Sequence, residues 1–236
     1  MQDYLHWKEW KEEDFGNFSK QAEKYFSWHI ARAVGRPSKD LRILEIGFGN
    51  GCFLGYCKKQ GLKITGVEVN KELVNRAIAA GFKVVSSLDE ISSKEPFDLV
   101  VAFDVFEHLE LPELKSLMEK IPVLLSKEGA VIIRVPNGDS PFGGRHQYGD
   151  ITHVTCFGEF KFRQIAQAHG LIVTAAGESP WYADEFNAPS LKTLIGGLMR
   201  SVIGYFLSMA FYRKKVDLSP NLVVVLKADD LPTALE

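Results

Sequence analysis

Short apolar runs alternate with segments of helical periodicity from residue 41 to residue 176, and a last apolar run follows near residue 221. Continuous apolar runs of this kind are typical of strands buried on both faces, and their alternation with helices is typical of βαβ units. Right-handed crossovers then place helices on both faces of one sheet. The pattern predicts strands over the following ranges: 41–46, 63–68, 82–85, 97–102, 130–135, 171–176 and 221–227.

The segments outside these strands predict helices and one long loop. Helices are expected at 71–80, 111–121 and 157–169, and a polar, glycine-rich loop at 136–155. The first 36 residues are rich in aromatic side chains and predict a helix pair, which packs on the sheet or closes over a substrate pocket as a lid. We expect one α/β domain over 1–236 with these parts: lid 1–36, core 37–179, helical insertion 180–220 and last strand 221–228.

Composition and charge exclude some classes of partner. The net charge of −2 gives no electrostatic case for binding nucleic acid. The N-terminus lacks the apolar core of a signal peptide, and the three cysteines have no metal-site spacing. We therefore expect a cytoplasmic protein with reduced thiols.

A glycine-rich turn follows the first predicted strand. Gly47, Gly49 and Gly51 allow a tight turn in which the backbone approaches a ligand, and the helix that follows adds unpaired amides and a positive dipole end. The dinucleotide fingerprint fails because Cys52 occupies its third glycine position. Glu68, at the end of the second strand, is placed to accept hydrogen bonds from both ribose hydroxyls of an adenosine.

The segment 43–51 resembles motif I of the class I S-adenosylmethionine-dependent methyltransferases. The segment 66–68 resembles their acidic second-strand motif, and 97–100 with 104–109 is similar to the fourth-strand segment of the group that includes the ubiquinone-type O-methyltransferases. The resemblance covers residues 40 to 176. It implies a Rossmann-like, mostly parallel sheet of seven strands with an antiparallel last strand.

The resemblance also implies a cofactor site for S-adenosylmethionine. The methionine side of the pocket would be formed by Glu45, Gly47, Gly49 and Gly51, with Phe103 and Asp104 beside the methionine moiety. Glu68 would hold the ribose, and Leu88 and Asp89 would border the adenine.

Two histidines are candidate general bases for methylation of a hydroxyl. His108 and His153 both follow predicted strands at the same sheet edge, and Asp150 is placed to orient such a histidine. A structural role for His108 is an equal alternative. Glu107 would converge with these three residues on a metal, but nothing in the spacing demands one, and we assign no metal.

Substrate recognition is expected from the loop that carries His153. Arg145, His146 and Tyr148 are candidates for contacts with substrate hydroxyls or a carboxylate. This loop, together with the apolar insertion, resembles methyltransferases of bacterial surface-polysaccharide gene sets, which implies a sugar hydroxyl as the acceptor. Methylation of a phenolic or quinol lipid, or a cofactor-binding protein without catalysis, are the alternatives.

The insertion contains a long apolar segment over 191–210. Its apolar residues follow helical spacing, and a basic cluster at 213–215 ends it. Its length approaches the ~20 residues of a membrane span, but the last strand must rejoin the sheet, which excludes a single span. Three alternatives stay open: a helix packed on the core or on a second copy in a homo-oligomer, a peripheral contact of 191–215 with the inner face of the membrane, or a wall for a greasy acceptor.

Overall fold

The structure, a computed structural model, describes residues 7, 8, 10–35, 38–92, 94–178, 191–213 and 216–229. The helices are α1 (Lys20–Val34), α2 (Cys52–Gln60), α3 (Lys71–Ala79), α4 (Leu111–Leu124), α5 (Gly144–Tyr148), α6 (Glu159–Ala168) and α7 (Leu191–Leu207). The strands are β1 (Arg42–Ile46), β2 (Lys63–Val67), β3 (Val84–Val85), β4 (Phe97–Phe103), β5 (Leu125–Pro136), β6 (Leu171–Ala176) and β7 (Asn221–Ala228).

The seven strands form one sheet in the order β3-β2-β1-β4-β5-β7-β6. Strands β1 to β5 pair in parallel, whereas β7 runs antiparallel to both β5 and β6. This confirms the predicted Rossmann-like sheet with an antiparallel last strand. Chain order reverses between β1 and β4, and open parallel sheets bind ligands beyond the carboxyl ends of the strands at such a point.

Both faces of the sheet are covered by helices. Helices α1 and α2 pack on one face through aromatic residues, among them Phe26 and Phe53. Helices α4 and α6 pack on the other face through residues that include Met118 and Phe162. The central strands are buried on both faces, which explains their continuous apolar sequences.

Several predicted boundaries were wrong. The segment 136–155 was expected to be a loop, but it contains α5, and β5 begins at Leu125 instead of residue 130. Helix α6 begins at Glu159, because Phe157 instead forms a bridge with Asn137. In the N-terminal segment the structure shows α1 and a 3₁₀ turn at Glu12–Asp14, and part of the predicted first helix lies outside the described residues.

The N-terminal segment packs directly on the glycine-rich turn and on the two helices that follow it, α2 and α3. The amide of Gly16 donates to the carbonyl of Asn50 at 2.9 Å, and Arg76 Nη1 donates to the carbonyl of Trp10 at 3.1 Å. A Cβ built on Gly55 in α2 would lie only 1.8 Å from the carbonyl oxygen of Gly16. Segment and turn therefore form one packed unit.

The insertion forms α7, followed by a single π-helical turn at Ser208–Tyr212. By length and composition one segment of the described chain, Ile195–Tyr212, is apolar enough to cross a membrane, yet only 11% of it is buried. Of the three alternatives for this segment, packing on the core of its own domain does not agree with this exposure, and the others stay open. The pairing of β7 with β5 and β6 confirms that the chain returns to the sheet.

The close contact at Gly55 predicts that an added methyl group destabilises the protein there but not at an uncrowded glycine. Gly55→Ala should lower the free energy of unfolding by about 1–3 kcal/mol, because the new methyl group must displace the backbone at Gly16. The matched control is Gly204→Ala in α7, where nothing lies within 4 Å; removing a helical glycine there should raise stability by about 0.5–1 kcal/mol. Urea unfolding measures both, and equal stability of the two variants would contradict this packing.

Candidate active site

The turn between β1 and α2 is left-handed at every second residue. Gly47, Gly49 and Gly51 have φ angles of 70°, 51° and 73°, a region that side chains with a Cβ disfavour. A Cβ at Gly47 would lie 2.5 Å from Val105, and a Cβ at Gly49 would lie 2.8 Å from the ring of Trp10. The glycines are thus required both by the backbone conformation and by the side chains that close over the turn.

Glu68 ties the end of β2 to this turn. One carboxylate oxygen accepts from the amide of Gly49 at 3.2 Å, and the other accepts from the amide of Asn70 at 3.0 Å. A carboxylate has about four acceptor sites, so each oxygen retains the capacity to accept a further hydrogen bond.

Glu45, two residues before Gly47, is a buried acid without a balancing partner. Its side chain is 3% exposed, and Oε2 has no hydrogen-bond partner among the described residues. Burial, with a smaller contribution from the negative charge of Glu68, raises the pKa of Glu45 well above its usual range. A cation bound beside Glu45 would offset this cost.

Leu88 and Asp89 follow β3, which pairs with β2, and their role as the adenine border stays a prediction. They belong to a 3₁₀ segment, Leu88–Glu90, that follows β3, and the amide of Glu68 donates to the carbonyl of Val85 at 3.2 Å. Asp89 is exposed and accepts a hydrogen bond from Lys120 at 2.7 Å, which lowers the pKa of Asp89.

Phe103 and Asp104 end β4 next to an arginine that the sequence analysis missed. Arg134 on β5 donates through Nε to Asp104 at 2.8 Å and through Nη2 to the other carboxylate oxygen. Its guanidinium lies 5.1 Å and 5.4 Å from the ring centres of Phe103 and Tyr25. Arg134 is a charged residue within an otherwise apolar strand, and this feature of the sequence could have indicated its role. Asp104 has a φ of 56°, and the two-point pairing with Arg134 holds this unusual conformation.

The two candidate histidines lie together. Their ring centres are 4.6 Å apart, although His108 follows β4 and His153 lies in the segment after β5. The carbonyl of Glu107 joins the two segments, because it accepts from the amides of Val154 at 2.8 Å and Thr155 at 3.0 Å. The predicted convergence at the carboxyl edge is therefore correct.

Asp150 contacts the histidine pair in a different way from the one expected. Its Oδ2 lies 3.7 Å from Nε2 of His153, too far for a hydrogen bond, whereas Oδ1 accepts from the amide of Thr152 at 2.9 Å and from its hydroxyl. The Thr152 hydroxyl lies 2.9 Å from Nδ1 of His108. Asp150 thus acts on His108 through Thr152, a residue that the sequence analysis gave no role.

Asp150 is ionised. Burial by itself would raise its pKa, but the hydrogen bonds from Thr152 and the ammonium of Lys8, at 3.1 Å, hold the pKa at about 2. Lys8 belongs to the N-terminal segment, so this ion pair connects that segment to residues 150–155, which carry His153 and which we call the histidine loop. The sequence offered no signal for it.

Glu107, His108 and His153 form a compact group in which one ligand atom from each lies within 4.8 Å of the others. Burial, then the charge of Asp104, raises the pKa of Glu107 to about 8. Burial, then His153, lowers the pKa of His108. One carboxylate and two imidazoles are a donor set that divalent metals accept, so the absence of a metal stays a prediction.

The predicted substrate residues occupy α5. Arg145, His146 and Tyr148 are exposed, Tyr148 at 84%, whereas Gln147 between them is buried and donates to the carbonyl of Thr155 at 3.4 Å. Helix α5 therefore packs against the histidine loop through Gln147, and its three predicted contact residues face solvent. Their role in substrate binding stays a prediction.

Comparison with known proteins defines the class. Residues 18–176 match a family model described as a methyltransferase domain, and the chain belongs to this family. Residues 18–176 therefore form a methyltransferase domain.

Particular relatives cover only part of the chain. The O-antigen chain terminator bifunctional methyltransferase/kinase WbdD of Escherichia coli is 29% identical over 129 residues, which cover 48% of this chain and 17% of WbdD. A ubiquinone biosynthesis O-methyltransferase of Rickettsia bellii is 24% identical over 105 residues, which cover 42% of this chain and 43% of that enzyme. The chain thus matches less than half the length of either relative.

Solved structures share the fold. The structure of a SAM-dependent methyltransferase from Archaeoglobus fulgidus aligns with a TM-score of 0.62 at 20% identity and covers 95% of this chain and 100% of the other. A complex from Haloferax volcanii, of a Trm112 methyltransferase activator and a putative methyltransferase, aligns with a TM-score of 0.62 at 14% identity over 96% of both chains.

The family implies S-adenosylmethionine as the methyl donor, and the residues of the glycine turn fit it. The donor carries a sulfonium and an ammonium, and a positive charge beside Glu45 would favour the ionised form of this buried acid. Its ribose hydroxyls suit the remaining acceptor capacity of Glu68. The methionine portion would be held by the glycine turn and Glu45, and the ribose by Glu68.

The ribose assignment predicts the effect of removing one carboxylate. Glu68→Ala should weaken binding of S-adenosylhomocysteine by about 1–3 kcal/mol, roughly tenfold or more, because ribose hydroxyls lose their acceptor. Glu95→Ala is the matched control, since Glu95 is an exposed acid paired with Arg42 at the amino edge of the sheet. Calorimetric titration measures both, and unchanged affinity of the Glu68 variant would contradict the assignment.

The buried acid Glu107 predicts a pH-dependent stability. Its pKa rises from an ordinary 4.5 to about 8 on folding, so its stabilising contribution is complete below pH 4.5 and is lost as pH rises to about 8. Over this range the free energy of unfolding should fall more steeply for the native protein than for Glu107→Gln. Urea unfolding in the presence of a chelator measures this difference, and parallel curves would show that Glu107 is ionised in the fold.

Proposed function

We propose that this methyltransferase transfers the methyl group of S-adenosylmethionine to a hydroxyl of a sugar or glycan, with His108 as the general base. The observation that carries the proposal is the hydrogen-bonded chain from Asp150 through Thr152 to His108, at the sheet edge that also holds the glycine turn. His153 lies against His108 and is the second candidate base.

The hydrogen bonds of His108 determine which ring nitrogen can accept a proton. Nδ1 lies 3.3 Å from the carbonyl oxygen of Thr152, and a carbonyl can only accept, so Nδ1 carries the hydrogen. The ionised Asp150 likewise accepts the proton of the Thr152 hydroxyl, which leaves that oxygen to accept from Nδ1 as well. The lone pair of His108 therefore lies on Nε2.

This arrangement suits methylation of a neutral hydroxyl. S-adenosylmethionine supplies an electrophilic methyl group, and the transfer is an in-line displacement in which the protein aligns the reactants. A neutral oxygen needs a base to remove its proton, and His108 is uncharged at neutral pH because its pKa is lowered. Asp150 and Thr152 fix the ring and stabilise the imidazolium that forms, as a carboxylate does for histidine in hydrolases.

Two observations support a glycan as the acceptor. The rim beside His108 is polar, and the exposed residues Arg145, His146 and Tyr148 of α5 are available for hydroxyl groups. WbdD, a relative over about half of this chain, is described as an O-antigen chain terminator. Methylation of a phenolic or quinol lipid is the second candidate, favoured by the ubiquinone biosynthesis relatives and by the exposed apolar surface of α7.

Replacement of the base should lower the turnover strongly and leave donor binding unchanged. His108→Gln should lower the methylation rate about 10²- to 10⁴-fold, the contribution of a positioned base. Thr152→Val should lower it less, because the ring keeps its lone pair but loses its orientation. His169→Gln is the matched control, since His169 contacts the carbonyl of Ile165 at the amino edge of the sheet. Equal turnover in the His108 and His169 variants would contradict the assignment.

The lowered pKa of His108 predicts the acid limb of the pH profile. The base is active when neutral, so the rate should decline only below pH 6.5, the ordinary value for histidine. The profile is measured with chelator and again with added Mg²⁺ or Zn²⁺. A rate that requires the metal would replace the base mechanism with metal activation of the hydroxyl.

The acceptor class is tested with labelled S-adenosylmethionine. Methyl transfer to sugars or lipid-linked glycans, with catechols unmodified, supports the proposal. Transfer to catechols alone favours the second candidate.

A further inference from the structure

Helix α7 and the π-helical turn after it present their apolar side chains to solvent. We name this surface the docking face; its exposed members are Ile195, Leu198, Met199, Val202, Ile203, Tyr205, Phe206, Met209, Phe211 and Tyr212. Leu198 is 65% exposed and Phe206 is 67% exposed. Such a patch on a folded domain marks a surface that binds something apolar.

The side of the segment that faces the protein is made of small residues. Gly197 and Ser208 are buried, and Ser208 exchanges hydrogen bonds with the backbone of Val216 at 3.2 Å and 3.3 Å. A helix that packs on its own domain shows the opposite arrangement, with large apolar residues inside and small or polar residues outside. The sequence of α7 is therefore suited to an apolar environment outside the protein.

The charge of this segment selects the kind of partner. Residues 191–215 hold five of the 28 Lys and Arg residues of the chain and none of its 30 Asp and Glu residues, so the segment is basic within an acidic protein. A symmetric contact between two copies of the face would bring two basic segments together without a compensating acid. An anionic lipid surface would pair with them, and Tyr and Phe are suited to the boundary between headgroups and acyl chains.

The sheet fixes how the segment can meet a bilayer. Strands β6 and β7 flank the insertion and pair with each other, so both ends of the insertion lie on the same side of any membrane. We propose that the docking face binds the surface of an anionic lipid bilayer, with α7 lying in the interfacial plane rather than crossing it.

Docking would place the candidate active site near the lipid. The Tyr212 hydroxyl donates to the carbonyl of Asp139 at 3.1 Å, and Ser140 donates to the carbonyl of Leu218 at 2.8 Å. Asp139 and Ser140 belong to the segment after β5 that also carries His153. The docking face is thus joined to the carboxyl edge of the sheet, where an acceptor anchored in the bilayer would arrive.

Vesicle binding tests the proposal with the whole protein. Co-sedimentation is measured with phosphatidylcholine vesicles, with and without phosphatidylglycerol. We expect binding to the anionic vesicles that weakens as salt is raised, because the basic residues are screened. The double variant Leu198→Asp with Phe206→Asp should lose about tenfold or more of this binding, since two apolar side chains leave the lipid and two acids approach it. Circular dichroism and urea unfolding establish that the variant is folded.

The matched control carries two acids on exposed apolar positions elsewhere. Ile78 on α3 and Val123 on α4 are 57% and 64% exposed, and Ile78→Asp with Val123→Asp should bind vesicles like the native protein. Equal loss in both double variants, or no binding of the native protein to anionic vesicles, would overturn the proposal. Light scattering without lipid gives a further test. A dimer that only the α7 variant dissociates would also overturn the proposal, because the docking face would then be an interface between two copies of the chain. These readouts do not depend on the acceptor or on turnover.

Discussion

The turn between β1 and α2 can form only because three alternate positions carry no Cβ. Gly47, Gly49 and Gly51 adopt left-handed backbone conformations, and the space that their side chains would need is filled by Val105 and by aromatic rings of the N-terminal segment. This constraint positions the N-terminus of α2, the acceptor groups of Glu68 and the buried carboxylate of Glu45 around one site. The donor site therefore depends on backbone geometry first and on charge second.

The reaction side of the site depends on a different constraint, the docking of the segment after β5 on the segment after β4. The carbonyl of Glu107 accepts two amides of the histidine loop, and this brings His153 against His108. The same contact buries the Glu107 side chain and lowers the pKa of His108, so packing and chemistry are coupled here. Lys8 links the histidine loop to the N-terminal segment through Asp150, so this segment contacts both the glycine turn and the histidine loop.

Much of the fold and of the donor site could be predicted from the sequence, because burial constrains which residues a strand can contain. Strands enclosed on both faces must be continuously apolar, so the sheet could be predicted, and the glycine turn and Glu68 followed from the strand ends. The charged residue Arg134 within an apolar strand was a signal, but nothing in the sequence indicated its partner Asp104. The contact of Thr152 with His108 lies between two loops, which leave no periodicity. The exposure of α7 could not be predicted either, because an apolar helical face has the same sequence pattern whether it contacts a core or a lipid surface.

The central claim is that the glycine turn binds S-adenosylmethionine and not a dinucleotide. Calorimetric titration of the native protein with S-adenosylmethionine, S-adenosylhomocysteine and NAD tests it most directly. The account predicts binding of the first two in the micromolar range and no heat of binding with NAD. Binding of NAD, or no binding of either sulfur compound, would contradict it and with it the roles of Glu45 and Glu68.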